Sequence, residues 1–343
     1  MFFNLNNQQY YCQYWKKHFE VLFAKQGLQK TNNRRNVDVG HFNFATKIGY
    51  GFPNCHLNKK IIHDVYKNES YYPRSISLTK HWALNNRQAI EQFIDNKRTV
   101  LKNDRGVGGH TVYPVYNYSD VMHHLNDKND FILQEEIKPL LHNGIKLDER
   151  VYLLIVKEDT TYSGYIFKEG HVKLAGYKFS DKGKNMGSFA TNIKAPKPSN
   201  QDGGDFTIDT TEFLQKNVSP ENQKKWNQQR LNIMKKITEK IIPIIAQRTR
   251  QYYSSNHKRS PKYLWHLYGI DLLVDDQYNL KLCEFNGKPG VIYDSVMPRK
   301  ITTINRKMAD RIFIEFLAPW LLNQQNRYTN DATIVKMGEF VNR

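Results

Sequence analysis

The chain has no long hydrophobic run. Among its 343 residues, no apolar stretch approaches the ~20 residues that a membrane-spanning helix needs. Its first residues, MFFNLNNQQYYCQYWKKHFEVLF, lack an uninterrupted apolar segment and a small-residue cleavage site, so they are not typical of a signal peptide. These absences predict a soluble intracellular protein.

Cysteine is scarce. Cys12, Cys55 and Cys283 lie far apart and form no CxxC or Cys/His spacing, which predicts free thiols in a reducing compartment and excludes a zinc finger. The sequence also contains no RNP-type aromatic run and no basic-zipper heptad. A standard nucleic-acid-binding module is therefore not expected.

Acidic residues are too few to balance the basic ones. Against 51 Lys and Arg there are 33 Asp and Glu, which gives a net charge of +18. Such an excess favours an anionic partner, which could be nucleic acid, an acidic membrane face or an acidic polypeptide, and charge alone does not choose among them. The 39% hydrophobic content is enough for a large core, and the length favours more than one domain.

Periodicity and turn residues predict a mixed α+β or α/β protein. Strands are expected at 98–102 and 130–137, and a three-stranded meander at 148–179 with turns at Glu158–Thr160 and Glu169–Gly170. Residues 180–211 resemble a long polar loop. Helices are expected at five places: 10–26, 81–95, SDVMHHL (119–125, with Ser119 as its cap), 220–250 and 302–318. The last ~20 residues resemble a loose tail.

The segment YGIDLLVDDQYNLKLCEFNGKPG (residues 268–290) predicts a hairpin with acids among its leucines. If Asp276–Asn279 forms the turn, Asp271 lies directly opposite Glu284, and Asn286 follows on the same face. Two carboxylates paired in this way repel each other, and burial makes the repulsion worse. A Mg²⁺ ion would remove the conflict, because it prefers oxygen ligands. The alternative is a surface hairpin whose acids are solvated.

Two further segments carry charges or glycines suited to phosphate. VLKNDRGVGGHTV places Lys102 at a strand end before Gly106, Gly108 and Gly109, whose backbone N–H groups could approach an anion. A flexible hairpin tip is the other interpretation. GIKLDERVYLL places Lys146, Asp148 and Arg150 on one face of a strand, where Arg150 could clamp a phosphate or a carboxylate. An exposed charged strand edge would show the same pattern.

Taken in order, these segments resemble the tubulin–tyrosine ligase-like family over roughly residues 35–320. FNFATKIGYGFPNCHLNKKIIHDV is similar to the family's Asn-His-Phe-Pro…Leu-x-Arg-Lys segment, with Lys60 at the lysine, and YYPRSISL to its Phe-Pro-x-[ST]-[FY] piece. VLKNDRGVGGHTV resembles its phosphate-covering segment, and LQEEIKPLLHNGIKLDERVYLLIV its Lys-Phe-Asp-[IL]-Arg signature. ATNIK lies where the family has His-Leu-Thr-Asn, and YGIDLLVDD…LKLCEFNGKP resembles its Gly-[FI]-Asp…[WL]-Leu-[IL]-Glu-[VI]-Asn…Pro segment.

The resemblance implies an α+β protein with the ATP-grasp fold, in which two lobes grip ATP beside a small N-terminal domain. The expected boundaries are an N-terminal domain at 1–70, a central lobe at 71–138, a C-terminal lobe at 139–322 and a tail at 323–343. The implied reaction is an ATP-dependent ligation. A carboxylate is phosphorylated to an acyl phosphate, and the amine of an amino acid then attacks it.

The resemblance also implies roles for individual residues. The Mg²⁺ ligands would be Asp271, Glu284 and Asn286, and Glu284 would also be catalytic. The ATP-binding residues would be Lys60, Lys102, Gly108, Gly109, Gln134, Glu135 (through its backbone), Lys146 and Asp148. The other catalytic residues, on the substrate side, would be Arg150, Lys173 and Asn192. Three departures from the family pattern affect substrate handling most: Asn103 replaces a proline, Glu135 and Glu136 replace a basic residue and an aromatic, and Lys173 replaces an arginine.

The expected partners are a free amino acid and an acidic protein acceptor such as a tubulin tail. Glutamate, tyrosine and glycine are all candidate donors, with glutamate favoured. A cytoplasmic, microtubule-associated monomer is expected, with no membrane or nucleic-acid partner. Two alternatives remain open. One is an ATP-grasp ligase that acts on small molecules or peptides, and the other is an inactive, basic binding protein.

Overall fold

The computed structural model describes residues 1–4, 13–33, 37–41, 43, 45–53, 57–95, 99–105, 111–180, 191, 207–287, 289, 299–324, 326, 328 and 334–341. Its strands are β1 (Phe2–Asn4), β2 (Gln29–Lys30), β3 (Val37–His41), β4 (Ala45–Tyr50), β5 (Ser75–Leu78), β6 (Thr99–Asn103), β7 (Val112–Val115), β8 (Phe131–Glu135), β9 (Leu141–His142), β10 (Ile145–Glu158), β11 (Thr161–Lys178), β12 (Thr207–Asp209), β13 (Tyr263–Val274), β14 (Leu280–Asn286) and β15 (Ile334–Val341).

The helices are α1 (Gln13–Lys25), α2 (Lys59–Tyr66), α3 (Lys80–Asn85), α4 (Arg87–Ile94), α5 (Tyr118–His124), α6 (Thr210–Asn217), α7 (Pro220–Ser255), α8 (Arg299–Ile312) and α9 (Ala318–Leu321), with a π-helical segment at Phe313–Leu317. Within the described ranges, none of these helices is both long enough and apolar enough to cross a membrane.

Two sheets organise the described residues, so the fold is mixed α/β. The large sheet has eleven strands, and its central order is β12-β11-β10-β13-β4-β3-β1-β2, with β14 beside β13, β15 beside β11 and β9 beside β10. Its β1–β4 part is parallel, whereas β10, β11, β13 and β14 pair antiparallel. The small sheet has four strands in the order β5-β8-β6-β7.

The large sheet is buried on both faces because each face carries helices. On one face α2, α6 and α7 contribute Tyr66, Phe213 and Trp226 to a core with residues of β10 and β13. On the other face α1 and α8 contribute Phe19 and Met308. A separate apolar cluster fills the small sheet and the adjoining α3–α5 region.

The N-terminal strands are not set apart from the large sheet, because β4 pairs in parallel with β13 through Ile48–Tyr50 and Tyr263–Trp265. Residues of the expected N-terminal domain thus share a sheet with residues of the expected C-terminal lobe. The division of the chain into domains stays a prediction.

The predicted helices at 10–26 and 220–250 correspond to α1 and α7. The helix expected at 81–95 is instead α3 and α4, which meet at Asn86; its side chain donates to the carbonyl of Trp82 and helps to end the first helix. The helix expected to stop at Pro319 continues to Leu321, because Pro319 lies in the first turn of α9, where no N–H is needed.

The predicted meander is wrong at its second turn. The chain reverses near Asp159, as expected, but β11 continues through Glu169 and Gly170 as one strand. Arg150 pairs with His171 and Tyr152 with Phe167, so the intervening residues of β11 form a bulge rather than a turn.

Two segments predicted to lack regular structure contain strands. Residues 207–209 form β12 within the expected loop. In the expected tail, residues 334–341 form β15, which pairs with β11. The physical reason is its apolar content, since Ile334 is buried and Val335, Met337 and Phe340 pack against the core.

Candidate functional site

A cleft lies between the small sheet and the large sheet. It encloses about 880 Å³, counting the part open to solvent. Val100 and Val112 line it from the small sheet, Leu273 from the large sheet and Ile137 from the segment that connects them. Apolar side chains contributed by both sheets suit a flat ring, and charged side chains line the same cleft.

Most of the site residues predicted from sequence converge there. Those that line the cleft are Lys102, Gln134, Glu135, Lys146, Asp148, Lys173, Asp271 and Glu284. Arg150 and Asn286 contact Asp271 directly. Gly108, Gly109 and Asn192 lie outside the described residues, so the structure says nothing about them.

Strand register explains this convergence. His171 of β11 pairs with Arg150 of β10, Arg150 with Asp271 of β13, and Asp271 with Glu284 of β14. Four neighbouring strands thus place a histidine, an arginine and two acids in one row across the sheet. Directly paired residues have Cβ atoms only ~4.5–5.5 Å apart, so these side chains interact.

Asp271 is the centre of the ionic contacts in this row. Arg150 donates to it twice, from Nε to Oδ1 at 2.5 Å and from Nη2 to Oδ2 at 2.9 Å, and Lys173 Nζ lies 2.9 Å from Oδ2. Burial alone would raise the pKa of Asp271, but the charges of Arg150 and then Lys173 outweigh burial and hold that pKa well below its usual value. Asp271 is therefore ionised and paired.

His171 is neutral for related reasons. Its ring is buried, and burial lowers its pKa well below the usual value, with the charges of Arg150 and Lys173 adding to the effect. A neutral imidazole beside Arg150 adds no further positive charge to the row.

Asp271, Glu284 and Asn286 converge as the hairpin pattern predicts. The amide Nδ2 of Asn286 lies 3.0 Å from Asp271 Oδ2 and 3.2 Å from Glu284 Oε1. The amide nitrogen donates to both carboxylates. Carboxylate oxygens, and the amide oxygen Oδ1 of Asn286, are ligands of the kind that suits Mg²⁺ when phosphate oxygens complete the coordination. The described residues contain no group of three or more His, Cys, Asp or Glu side chains that could hold a metal alone. The donor set fits a metal shared with a phosphate ligand.

Lys102 enters the cleft from β6. Its Nζ donates to Gln134 Oε1 at 2.6 Å and lies 3.7 Å from Cys283 Sγ. The backbone of Glu135 is predicted to meet an adenine edge, and its N–H donates to the carbonyl of Arg74 at 2.9 Å. That N–H is therefore hydrogen-bonded within the protein, because the pairing of β8 with β5 extends by one bond to Arg74, the residue directly before β5.

Asp148 has an oxygen available for a ligand. Its Oδ2 accepts from the hydroxyl of Thr191, whereas Oδ1 is buried and has no hydrogen-bond partner within the described part of the chain. A buried carboxylate oxygen without a donor is costly. A ligand hydroxyl or amine in the cleft would satisfy it.

Lys59 lines the cleft and was missed by sequence reasoning, whereas Lys60 does not line it. Lys60 Nζ is 4.0 Å from carboxylate oxygens of both Asp64 and Asp130. Consecutive helical residues lie ~100° apart, so only one of the two lysines can face the cleft. The buried face of α2 contains Ile62, His63 and Tyr66. Counting back three or four residues from Ile62 and His63 would have identified Lys59.

Burial lowers the pKa of Lys59, and the neighbouring Glu284 opposes that effect. The ammonium of Lys59 therefore lies in a partly desolvated environment close to the acidic end of the hairpin. Electrostatic contacts with an anionic ligand are stronger in such an environment than at the surface.

Two glycines give Arg150 room. A Cβ on Gly269 would lie 2.9 Å from Arg150 Nη1, and a Cβ on Gly170 would lie 2.4 Å from the Arg150 carbonyl oxygen. The Gly170 contact is with a backbone atom, so a side chain there would force the strand to move, whereas a Cβ on Gly269 would require the Arg150 guanidinium to shift. The glycine two residues before Asp271 therefore serves the Arg150–Asp271 contact.

Comparison with known proteins gives one result. The model of the tubulin-tyrosine ligase family matches residues 53–312, which cover the small sheet, strands β9–β14 of the large sheet and more than half of the chain. No curated protein matches the chain.

Proposed function

Since the chain belongs to the tubulin-tyrosine ligase family, which implies ATP-dependent ligase activity on a protein or peptide, we propose that it joins an amino acid to an acidic protein acceptor. ATP and Mg²⁺ are the proposed cofactors, and the two sheets are the lobes of an ATP-grasp fold. The observation that carries the proposal is the ionic row Arg150–Asp271–Glu284 in a cleft also lined by Lys59 and Lys102.

The nucleotide is proposed to lie between the sheets. Its base would occupy the apolar part of the cleft near Val100, Ile137 and Leu273. Asp148 Oδ1 would accept from a hydroxyl of the ribose, which would satisfy the oxygen that lacks a partner. Lys59 and Lys102 would contact phosphate oxygens, because a lysine ammonium acts there as a compact point charge.

Glu284, Asp271 and Asn286 are the residues that would hold Mg²⁺. The ion supplies neutralisation of phosphate charge when bound. Phosphoryl transfer asks the protein mainly for positioning and charge. Lys173, which lines the cleft, and Arg150, which binds the same carboxylate of Asp271, would orient the reacting carboxylate.

The net charge of +18 supports an acidic acceptor, of which a tubulin tail is one example. Glutamate is the donor we favour, with tyrosine and glycine as alternatives. A cytoplasmic location, near microtubules if tubulin is the acceptor, follows from that choice. High salt should slow the reaction, because screening weakens attraction between exposed charges.

The test is intact-mass analysis of tubulin tails after incubation with the protein, Mg²⁺-ATP and pooled glutamate, tyrosine and glycine. A discrete mass increment names the donor. Glu284→Gln and Lys59→Met should abolish or strongly reduce it, whereas Lys60→Met, the matched control outside the cleft lining, should retain it. ADP release without an increment would discard tubulin as the acceptor and favour a small-molecule or peptide ligase. Neither product from a folded wild-type protein would favour an inactive binding protein.

A further inference from the structure

Asp104 connects two parts of the cleft wall. It directly follows β6, which carries Lys102, and its side chain is only 6% exposed. Its Oδ1 accepts from the backbone N–H of Lys60 at 2.7 Å, and its Oδ2 accepts from Asn58 Nδ2 at 2.6 Å. Both carboxylate oxygens are therefore bound to the first turn of α2.

This contact completes the N-terminus of α2. The first four N–H groups of a helix have no partner within the helix. Asn58 is the N-cap, and its Oδ1 accepts from the N–H of Ile61 at 3.0 Å, while Asp104 accepts from the N–H of Lys60. A carboxylate at this end also interacts favourably with the helix dipole.

The opposite end of α2 is attached to the large sheet and α7. The ring of Tyr66 stacks on Phe285 of β14 with centroids 6.1 Å apart, and its hydroxyl donates to the carbonyl of Ile237 at 3.0 Å. Helix α2 thus spans from the small sheet, through Asp104, to the large sheet, through Tyr66. Lys59 lies in the turn that Asp104 holds.

We infer that Asp104 is a positioning residue for the nucleotide: it fixes the first turn of α2 so that Lys59 reaches the cleft opposite Lys102. The inference rests on the proposed function, because it takes the anionic ligand to be ATP. If Asp104 only stabilised the helix, replacing it would leave the ATP affinity of the folded protein unchanged. If Asp104 positions Lys59, replacing it weakens ATP binding because Lys59 is displaced.

The first experiment is calorimetric titration of the full chain with Mg²⁺-ATP. Asp104→Ala should weaken binding about tenfold, the loss expected when a charge-assisted hydrogen bond no longer holds its partner. In a Lys59→Met background the same change should add less than about twofold, because the residue through which it acts is already gone. The matched control is Thr79→Ala, which removes the N-cap of α3 away from the cleft lining. It should change affinity less than about twofold even if it lowers the melting temperature equally.

A polarity exchange provides a rescue. Asp104→Asn places one amide against the amide of Asn58 and should weaken binding, and adding Asn58→Asp restores one donor and one acceptor across the same contact. The exchanged pair should recover most of the wild-type affinity. If Asp104→Ala does not fold, Asp104→Asn and its rescue serve as the comparison.

The results separate this inference from the proposed function. Unchanged affinity in Asp104→Ala, equal losses with and without Lys59, or no recovery in the exchanged pair would overturn the positioning role alone. No Mg²⁺-ATP binding by the folded wild-type chain would overturn the proposed function and the positioning role together.

Discussion

A buried ion pair joins β10 to α7 on the face opposite the cleft. Glu149 is fully buried, and its Oε1 accepts from Arg230 Nη1 at 2.7 Å while its Oε2 accepts from Trp226 Nε1 at 2.7 Å. Asp148 and Arg150, its neighbours in the strand, contribute to the site on the other face. Removing one member of a buried pair leaves an uncompensated charge, and the expected cost is ~3–5 kcal/mol.

We therefore predict that Arg230→Met lowers the free energy of unfolding by ~3–5 kcal/mol. At ~2.1 cal/mol/K of unfolding entropy per residue, the 343 residues give ~0.7 kcal/mol/K, so the melting temperature should fall by about 4–7 °C. Replacing both partners, with Glu149→Leu and Arg230→Met together, should recover part of the loss, because no buried charge then remains although Trp226 Nε1 loses its acceptor.

Urea unfolding and calorimetry of the two single variants and the double variant measure the coupling energy directly. Lys216→Met is the matched control, since it breaks the exposed Lys216–Glu212 pair, whose atoms are 2.8 Å apart, on the neighbouring helix, and should cost at most about 0.5 kcal/mol. Arg230→Met no more destabilising than Lys216→Met, or a double variant that shows the sum of the single losses, would refute the reasoning.

Three further changes have distinct expected results. Gly269→Ala should displace the Arg150 guanidinium and reduce turnover more than stability. Kinetics and a thermal melt on one sample would measure the two effects, and a loss of stability with full turnover would contradict the prediction. Gly170→Ala meets a backbone oxygen instead, so it should cost ~1–3 kcal/mol of stability, and an unchanged urea midpoint would exclude the clash. Burial lowers the pKa of Lys157 from 10.5 to about 8, so between these two pH values the folded state binds fewer protons than the unfolded state. The stability of the wild type, measured relative to Lys157→Met, should therefore rise from pH 8 to pH 10.5 by up to ~3 kcal/mol. Parallel profiles of stability against pH for the two proteins would contradict this prediction.

The β13–β14 hairpin has the predicted central pairing but a different register next to its turn. Asp271 pairs with Glu284 as predicted, but Val274 pairs with Leu280, which is one residue out of the register that the proposed turn requires. A bulge between Asp271 and Leu272 restores the register. Turn chemistry and alternation predict that a hairpin exists, whereas a bulge has no sequence signal here except the extra residue, Cys283.

Residues close together in sequence were the predictable part of the site. The Lys146-x-Asp148-x-Arg150 spacing predicts one face of a strand, and the cleft contains the first two while Arg150 contacts Asp271. The Asp148–Thr191 contact and the Asp104–α2 contact depend on how distant segments pack, which periodicity does not encode. Lys59 was missed because a motif gives a position, whereas the helix phase decides which lysine faces the ligand.

The sequence pattern explains the acids of the β13–β14 hairpin by a metal ion, whereas the structure first shows cations beside one of them. Two acids placed among leucines require compensating charge, and a metal ion is the simplest solution that a local pattern can offer. Lys281 of the hairpin does not supply that charge, since its Nζ donates to the carbonyl of Ser70. The structure compensates Asp271 with Arg150 and Lys173, which lie 121 and 98 positions earlier in the chain. Burial of Asp271 is therefore not by itself evidence for a metal. The support for Mg²⁺ comes from Glu284, which in the described residues has no ion-pair partner within 4.0 Å and shares the amide of Asn286 with Asp271. A Glu284→Gln variant that keeps its fold while losing Mg²⁺-dependent ATP binding would show that Glu284 serves the ligand, whereas Asp271 also holds Arg150 and Lys173.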